Sequence, residues 1–152
     1  MDREIAVFLP EALVLDIDEI DEQHADLFAR LAHLKEHCIE ANGLPPGEGA
    51  ALLEALYLHC ATEERLAAES GLDFAEHIEK HRTMLSCIGH AIEQVLLGKN
   101  DAFSLIRYLE YWFERHIHDE DIILGERLHT VRGTPPCWQT HSVPLMDVRQ
   151  VA

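Results

Sequence analysis

His59 and Glu63 stand four residues apart, and so do His77 and His81 a short way downstream. On an α-helix that spacing is about 40° of rotation and roughly one turn of rise, so each pair projects from one helix face. Imidazole nitrogens and carboxylate oxygens in such pairs are metal ligands, and each pair can hold one ion or two neighbouring ions. Between the pairs, Ser70-Gly71 and Asp73 break the helical pattern as a turn followed by an N-cap. Two antiparallel helices joined there would aim four ligands at one point. A lone HxxxH is weak support, because imidazoles at that spacing also occur on solvated faces. Two pairs across one short turn are much stronger.

The elements that must carry these groups follow from the apolar period. A first helix begins near Asp18–Glu22, where acidic residues suit the positive end of the helix dipole. Its stripe is Ile20, His24, Leu27, Phe28, Leu31, Leu34 and Cys38, and it ends at Asn42-Gly43, before Pro45-Pro46-Gly47. A second helix presents Leu52, Leu56, His59, Glu63 and Leu66. The third runs from about residue 74 to 97, with His77, His81, Met84, Leu85, Ile88, Ile92 and Val95 on one face. After the turn at Gly98-Lys99-Asn100-Asp101, the fourth carries Ile106, Leu109, Trp112, Phe113, His116 and Ile117. Four amphipathic helices of about 20 residues with short connections predict an all-α, up-down-up-down four-helix bundle. The predicted domain covers residues 1–132. Its first 17 residues, with alternating apolar positions and Pro10, read as an N-terminal extended arm. Residues 133–152 (GTPPCWQTHSVPLMDVRQVA) have no helical period and read as an irregular C-terminal tail. Trp138 and Met146 imply that some of the tail packs, while Cys137 and His141 supply too few ligands for a second metal site.

Six polar residues (His24, His59, Glu63, His77, His81 and His116) fall on the core-facing stripes of four helices. Burying them without partners would cost several kcal/mol in all, and a metal centre satisfies them together. The other histidines act as a control. His33 and His37 lie roughly 180° and 220° round the helix from His24, and His118 about 200° from His116, so all three should point away from the core. His90, His129 and His141 have no partner at ligand spacing.

Composition bounds the setting. With 47% hydrophobic and 26% charged residues, the 152-residue chain suits one soluble globular domain. A formal net charge of −16 argues against nucleic acid or an anionic membrane as partner. No apolar run approaches the roughly 18 residues of a membrane span, and the acidic N-terminus lacks the basic region of a signal peptide. Cys38, Cys60, Cys87 and Cys137 are scattered singly, which predicts a reducing, cytoplasmic location. Eleven histidines are the anomaly that a metal centre would explain.

The ligand pattern resembles a known family. IDEQHADLF around His24 is similar to the first-helix signature of the hemerythrins, the bacterial single-domain ones in particular. His59 with Glu63 and Glu64 looks like their HxxxEE motif, His77 to His81 like their HxxxH, and WFERHIHDED from Trp112 to Asp121 like their WLxxHIxxxD. The resemblance spans about residues 13–128. The chain departs from the family pattern in a slightly shorter loop before His77, which lacks the usual Tyr-Pro, and in Phe113 where a leucine is usual.

The resemblance implies two iron ions per chain, bridged by an oxo or hydroxo group. His77, His81 and His116 would bind one iron and His24 and His59 the other, with Glu63 and Asp121 bridging. It further implies reversible O2 binding for storage, delivery or sensing, with NO or small anions as alternative ligands and no enzymatic turnover. Leu27, Phe28, Leu56, Leu85, Trp112 and Phe113 would line the oxygen pocket. The alternatives are a di-iron oxidase or peroxidase, or a gas or redox sensor acting through a separate protein partner. An oxidase of the ferritin-like kind would use Glu-x-x-His pairs, where this chain has HxxxE and HxxxH. Zinc usually takes four ligands, fewer than the seven here.

The resemblance also raises a geometric conflict. Glu120 is four residues after His116 and on a regular helix is its neighbour, whereas Asp121 would lie about 140° away. Both facts hold if a π-type turn, which bonds i to i+5, lies between His116 and Asp121. Asp121 then faces the metal, Glu120 faces out, and Leu124 and Leu128 return to the core.

Overall fold

The computed structural model describes residues 9–133; the expectations for residues 1–8 and for the tail from 134, with Cys137 and His141, lie outside it. Four antiparallel helical segments form the bundle: α1 (Asp18–Ala41), α2 (Glu48–Glu69), α3 (Ala75–Leu96) and a fourth in three parts. The fourth comprises α4 (Ala102–His116), a π-helical turn (Ile117–Asp121) and α5 (Ile122–Arg132). Each helix packs against its two chain neighbours and α4 closes the ring onto α1, which is the up-down-up-down arrangement. No helix among the described residues is long and apolar enough to cross a membrane.

Local chemistry fixes the ends. Asp18, Glu19 and Asp21 occupy the first turn of α1, and Asn42, in the left-handed region at φ 52°, ends it by donating its N–H to the Cys38 carbonyl. The turn between α2 and α3 needs Gly71 at φ 69°, and the Leu72 N–H closes back on the Ala67 carbonyl at 2.9 Å. Asp73 Oδ1 then accepts the Ala75 N–H at 3.3 Å. Asp101 caps α4 by accepting the Ser104 N–H at 2.8 Å.

The core falls into two apolar clusters. One fills the far half of the bundle with Leu27, Leu31, Leu56, Ile88, Leu105 and Leu109. The other closes the near end with Leu13, Leu15, Ile17, Leu66, Phe74, Leu124 and Leu128. On every helix the candidate ligands sit between residues of the two clusters: His24 between Ile20 and Leu27, and Glu63 between Cys60 and Leu66. On α3, His77 and His81 lie between Phe74 and Met84.

The described part of the arm, residues 9–17, has one turn of 3-10 helix at Glu11–Leu13, which starts where Pro10 fixes φ at −57°, and a left-handed residue at Asp16, φ 59°. It lies against the near end because Leu15 is clasped from both sides. Asp21 Oδ1 accepts its N–H at 2.8 Å, and His129 Nε2 donates to its carbonyl at 2.9 Å. His129 is thus a satisfied core histidine, as its isolation in the sequence implied.

Two glycines make opposite predictions. A Cβ at Gly49 would sit 2.6 Å from Ile92 Cγ2, whereas one at Gly89 meets only Leu53 Cδ2, at 3.6 Å. Overpacking costs about 1–3 kcal/mol, and replacing a helical glycine by alanine gains at most about 1 kcal/mol. Gly49→Ala should therefore lower, and Gly89→Ala raise, the unfolding free energy measured in urea; equal shifts would contradict the packing at Gly49.

Candidate metal centre

All seven residues singled out as ligands converge in the polar layer between the two apolar clusters. They form two groups that share both carboxylates: His77, His81 and His116 with Glu63 and Asp121, and His24 and His59 with the same pair. The division is made atom by atom. Glu63 Oε1 lies 3.0 Å from His81 Nε2 and 3.4 Å from His77 Nε2, while Asp121 Oδ1 lies 3.2 Å from His77 Nε2 and 3.1 Å from His116 Nε2. The other oxygen of each carboxylate faces the second group. Glu63 Oε2 is 3.0 Å from His59 Nε2, and Asp121 Oδ2 is 3.0 Å from His24 Nε2. Each carboxylate therefore has one oxygen on either side.

These separations are what ligands of a common ion require. Donors held about 2.1 Å from one centre are about 3.0 Å apart at right angles and about 4.2 Å apart when opposed. Within each group all the ligand atoms lie within 4.8 Å of one another. Hydrogen bonding explains the arrangement less well. His77 Nε2, His116 Nε2, Glu63 Oε2 and Asp121 Oδ1 are buried without a hydrogen-bond partner, although each has a neighbour near 3 Å. Their distances suit hydrogen bonds and their angles do not, so the lone pairs converge on shared points instead of on one another. Leaving each such group unsatisfied costs about 1–3 kcal/mol. The cluster can hold a metal ion, and its donors fit one.

Two residues that sequence spacing had not singled out, Gln23 and Glu64, orient imidazoles. His59 Nδ1 donates to Gln23 Oε1 at 2.9 Å, and Gln23 Nε2 in turn donates to Thr62 Oγ1 at 2.9 Å. His81 Nδ1 donates to Glu64 Oε2 at 3.0 Å. Both bonds fix the tautomer that turns Nε2 inward, the usual device for holding a ligating histidine. Phe74 stacks on His77 at 4.1 Å and Trp112 on His116 at 4.8 Å between ring centroids. The sequence signals for these roles are adjacency: Glu64 follows Glu63, and Gln23 precedes His24.

The π turn implied by the Glu120/Asp121 conflict is present. The Ile122 N–H bonds to the Ile117 carbonyl, an i to i+5 bond. It brings Asp121 inward, fully buried, and returns Leu124 and Leu128 to the core. Glu120 turns outward and takes Lys80 Nζ at 2.8 Å on both oxygens. His33, His37, His90 and His118 are exposed. Asp121→Ala, like His77→Ala, should therefore lower bound metal in the purified protein, and Glu120→Ala, His33→Ala and His118→Ala should leave it unchanged. Metal analysis showing the two sets alike would overturn the facing.

Charge holds the metal-free site together. Burial alone would push the His59 imidazole down, but Glu63 and Asp121 outweigh it and raise it to about 10; His77, under the same opposed influences, rises to about 9. His24 is raised as well. Burial and mutual repulsion oppose ionisation of Glu63 and Asp121, yet the surrounding histidines hold both well below the ordinary carboxylate range. At neutral pH the metal-free site thus carries protonated His59 and His77 against two carboxylates.

The sign follows from linkage. A raised histidine stabilises the fold fully below its unfolded pKa, near 6.5, and that stability is lost as pH rises through about 9 and 10. The metal must displace the same protons. Denaturation midpoints of metal-free protein should therefore fall as pH rises above about 6.5. Apparent metal affinity over that window should rise, by about tenfold per pH unit for each proton displaced. Titration at several pH values, with proton release read by an indicator dye, checks both; a pH-independent affinity would exclude protonated ligands.

A cavity of about 10 Å³, lined by no exposed polar surface, adjoins the two-histidine side. Leu27, Phe28, Leu56, Met84, Phe113 and Ile117 line it with both histidines of that group, His24 and His59, and with Asp121 and one histidine of the other group, His116. Leu85 and Trp112, expected in the same lining, lie elsewhere: Leu85 packs within the far apolar cluster, and Trp112 lies over His116 beside a surface cleft. No protein-family model, curated protein or solved structure matches the chain. Fold and site together define a four-helix bundle with a buried histidine–carboxylate cluster able to hold metal.

Proposed function

We propose that the chain is a hemerythrin-like protein that holds two irons and binds O2 reversibly, for storage, delivery or sensing. The observation that carries the reading is the sharing of Glu63 and Asp121, one oxygen of each on either side, between a three-histidine and a two-histidine group. Seven donors in two such groups exceed the four that zinc usually takes, and five imidazoles with two carboxylates suit iron. A pair of ferrous ions held there supplies the two electrons that reversible O2 binding needs.

The chain's own residues supply the rest. The two-histidine group has one fewer protein ligand than the other, and both of its histidines line the apolar cavity, against His116 alone of the other three. That combination offers a small neutral gas a place beside the less saturated ion. Leu27, Phe28, Leu56 and Phe113 exclude water there, which restrains loss of the bound gas in reduced form. Gln23 and Glu64 keep His59 and His81 in the ligating tautomer. Two carboxylates, with His59–Glu63 and His77–His81 in place of Glu-x-x-His pairs among the ligands, favour binding over oxygen activation.

Metal analysis and spectroscopy of anaerobically purified protein test the reading. The expected results are two irons per chain and a visible spectrum that appears with O2 and disappears when O2 is removed. One iron, or irreversible oxidation on first exposure, would refute it. Phe113→Leu should leave the iron content unchanged and change the rate of autoxidation several-fold, since residue 113 lines the cavity. Identical oxidation kinetics would remove Phe113 from the gas pocket.

A further inference from the structure

Between α3 and α4 the surface opens into a cleft of about 550 Å³, within the roughly 300–1,000 Å³ of small-molecule sites. Trp112, Met84 and His116 line it, with Tyr111 and Cys87 beside them. The indole of Trp112 lies almost flat on the His116 imidazole, with 25° between the planes. His116 belongs at the same time to the three-histidine ligand group. A half-buried aromatic ring thus joins a solvent-open cleft to a candidate metal ligand by direct stacking.

The rim charges narrow what the cleft would accept. Lys80 is held by Glu120 at 2.8 Å and Arg115 by Asp119 at 3.3 Å, while Glu79 pairs with Arg82 at 2.9 Å and Glu76 adds further negative charge to the rim. An acidic rim on a chain of net charge −16 disfavours phosphorylated or carboxylated ligands. Tyr111 and Trp112 offer faces to a planar ring. A second cleft, of about 520 Å³, reaches His77, but it is lined by Asp73, Glu76, Lys80, Glu120 and Arg127 and no aromatic residue. Only the first joins stacking surface to a ligand.

We propose that the α3–α4 cleft binds an uncharged hydroquinone, a planar aromatic two-electron carrier, and that Trp112 passes its electrons through His116 to the metal pair. The proposal rests on the di-iron reading. It supplies what that reading lacks, a means of returning an oxidised centre to the ferrous state that takes up O2. The hydroquinone gives up two electrons and two phenolic protons and becomes the quinone. Two ferric ions become ferrous, and the protons pass to Glu76 and to water at the cleft mouth. Trp112 is a relay and positioning residue and gives no ligand to the metal.

Duroquinone and duroquinol, which carry methyl groups at every ring carbon and so spare Cys87 from addition, serve as probes. In metal-free protein with Trp138→Phe, so that Trp112 is the remaining tryptophan, duroquinone should quench the fluorescence saturably. Thr83→Phe, which fills the cleft from an exposed lining position, should weaken that binding about tenfold or more. In the oxidised, iron-loaded protein, Trp112→Leu should slow reduction by duroquinol about tenfold while leaving iron content and reduction by dithionite unchanged. Absence of saturable quenching, undiminished binding in Thr83→Phe, or wild-type duroquinol kinetics in Trp112→Leu would each overturn the proposal. Protein that binds duroquinone but takes up fewer than two irons would instead overturn the di-iron reading, and the relay with it.

Discussion

Two carboxylates, each shared between imidazoles on opposite sides, are the constraint on which the structure turns. Glu63 and Asp121 are fully buried in the polar layer between the two apolar clusters. A buried carboxylate is tolerated only with strong partners, and here the five imidazoles are those partners with or without a metal. Without one, His59 and His77 retain protons and neutralise the acids. With one, the protons leave and the same lone pairs ligate.

That layer dictates the architecture above and below it. Because it interrupts the core, the bundle needs apolar closure on both sides, and the near side is short of helix. The arm supplies it: Leu13, Leu15 and Ile17 fill the end, and Asp21 and His129 pin the backbone of Leu15. The fourth helix continues past the site as α5 to complete the same cluster with Leu124 and Leu128. It can do so only because the π turn absorbs one residue, bringing His116, Asp121 and Leu124 onto the inner face together.

The two sides of the site differ in what reaches them. The two-histidine side meets a small dry cavity walled by Phe113 and its apolar neighbours. The three-histidine side comes near solvent through two clefts, with His77 11% exposed. On the proposed reading, this separates the face open to a small neutral gas from the face open to solutes and electrons. The asymmetry arises from helix register: the extra histidine of the three-histidine group comes from α3, whose N-terminal turn is at the rim of the bundle.

Much of this was legible in the sequence. The four helices, their ends and six of the seven converging residues follow from a period of 3.6 and from turn residues such as Asn42, Gly71 and Asp101, all local properties, while Asp121 came only from the resemblance to the hemerythrin motif. Even the π turn was implied, since no regular helix reconciles His116 with both Asp121 and Leu124. Tertiary structure alone decided which oxygen faces which imidazole, that Gln23 and Glu64 hold His59 and His81, and that Trp112 covers His116 instead of the cavity. These depend on how helices distant in sequence are set side by side. Periodicity assigns a residue to a face, but the position of a ring or an oxygen on that face is fixed by what the neighbouring helix presents to it.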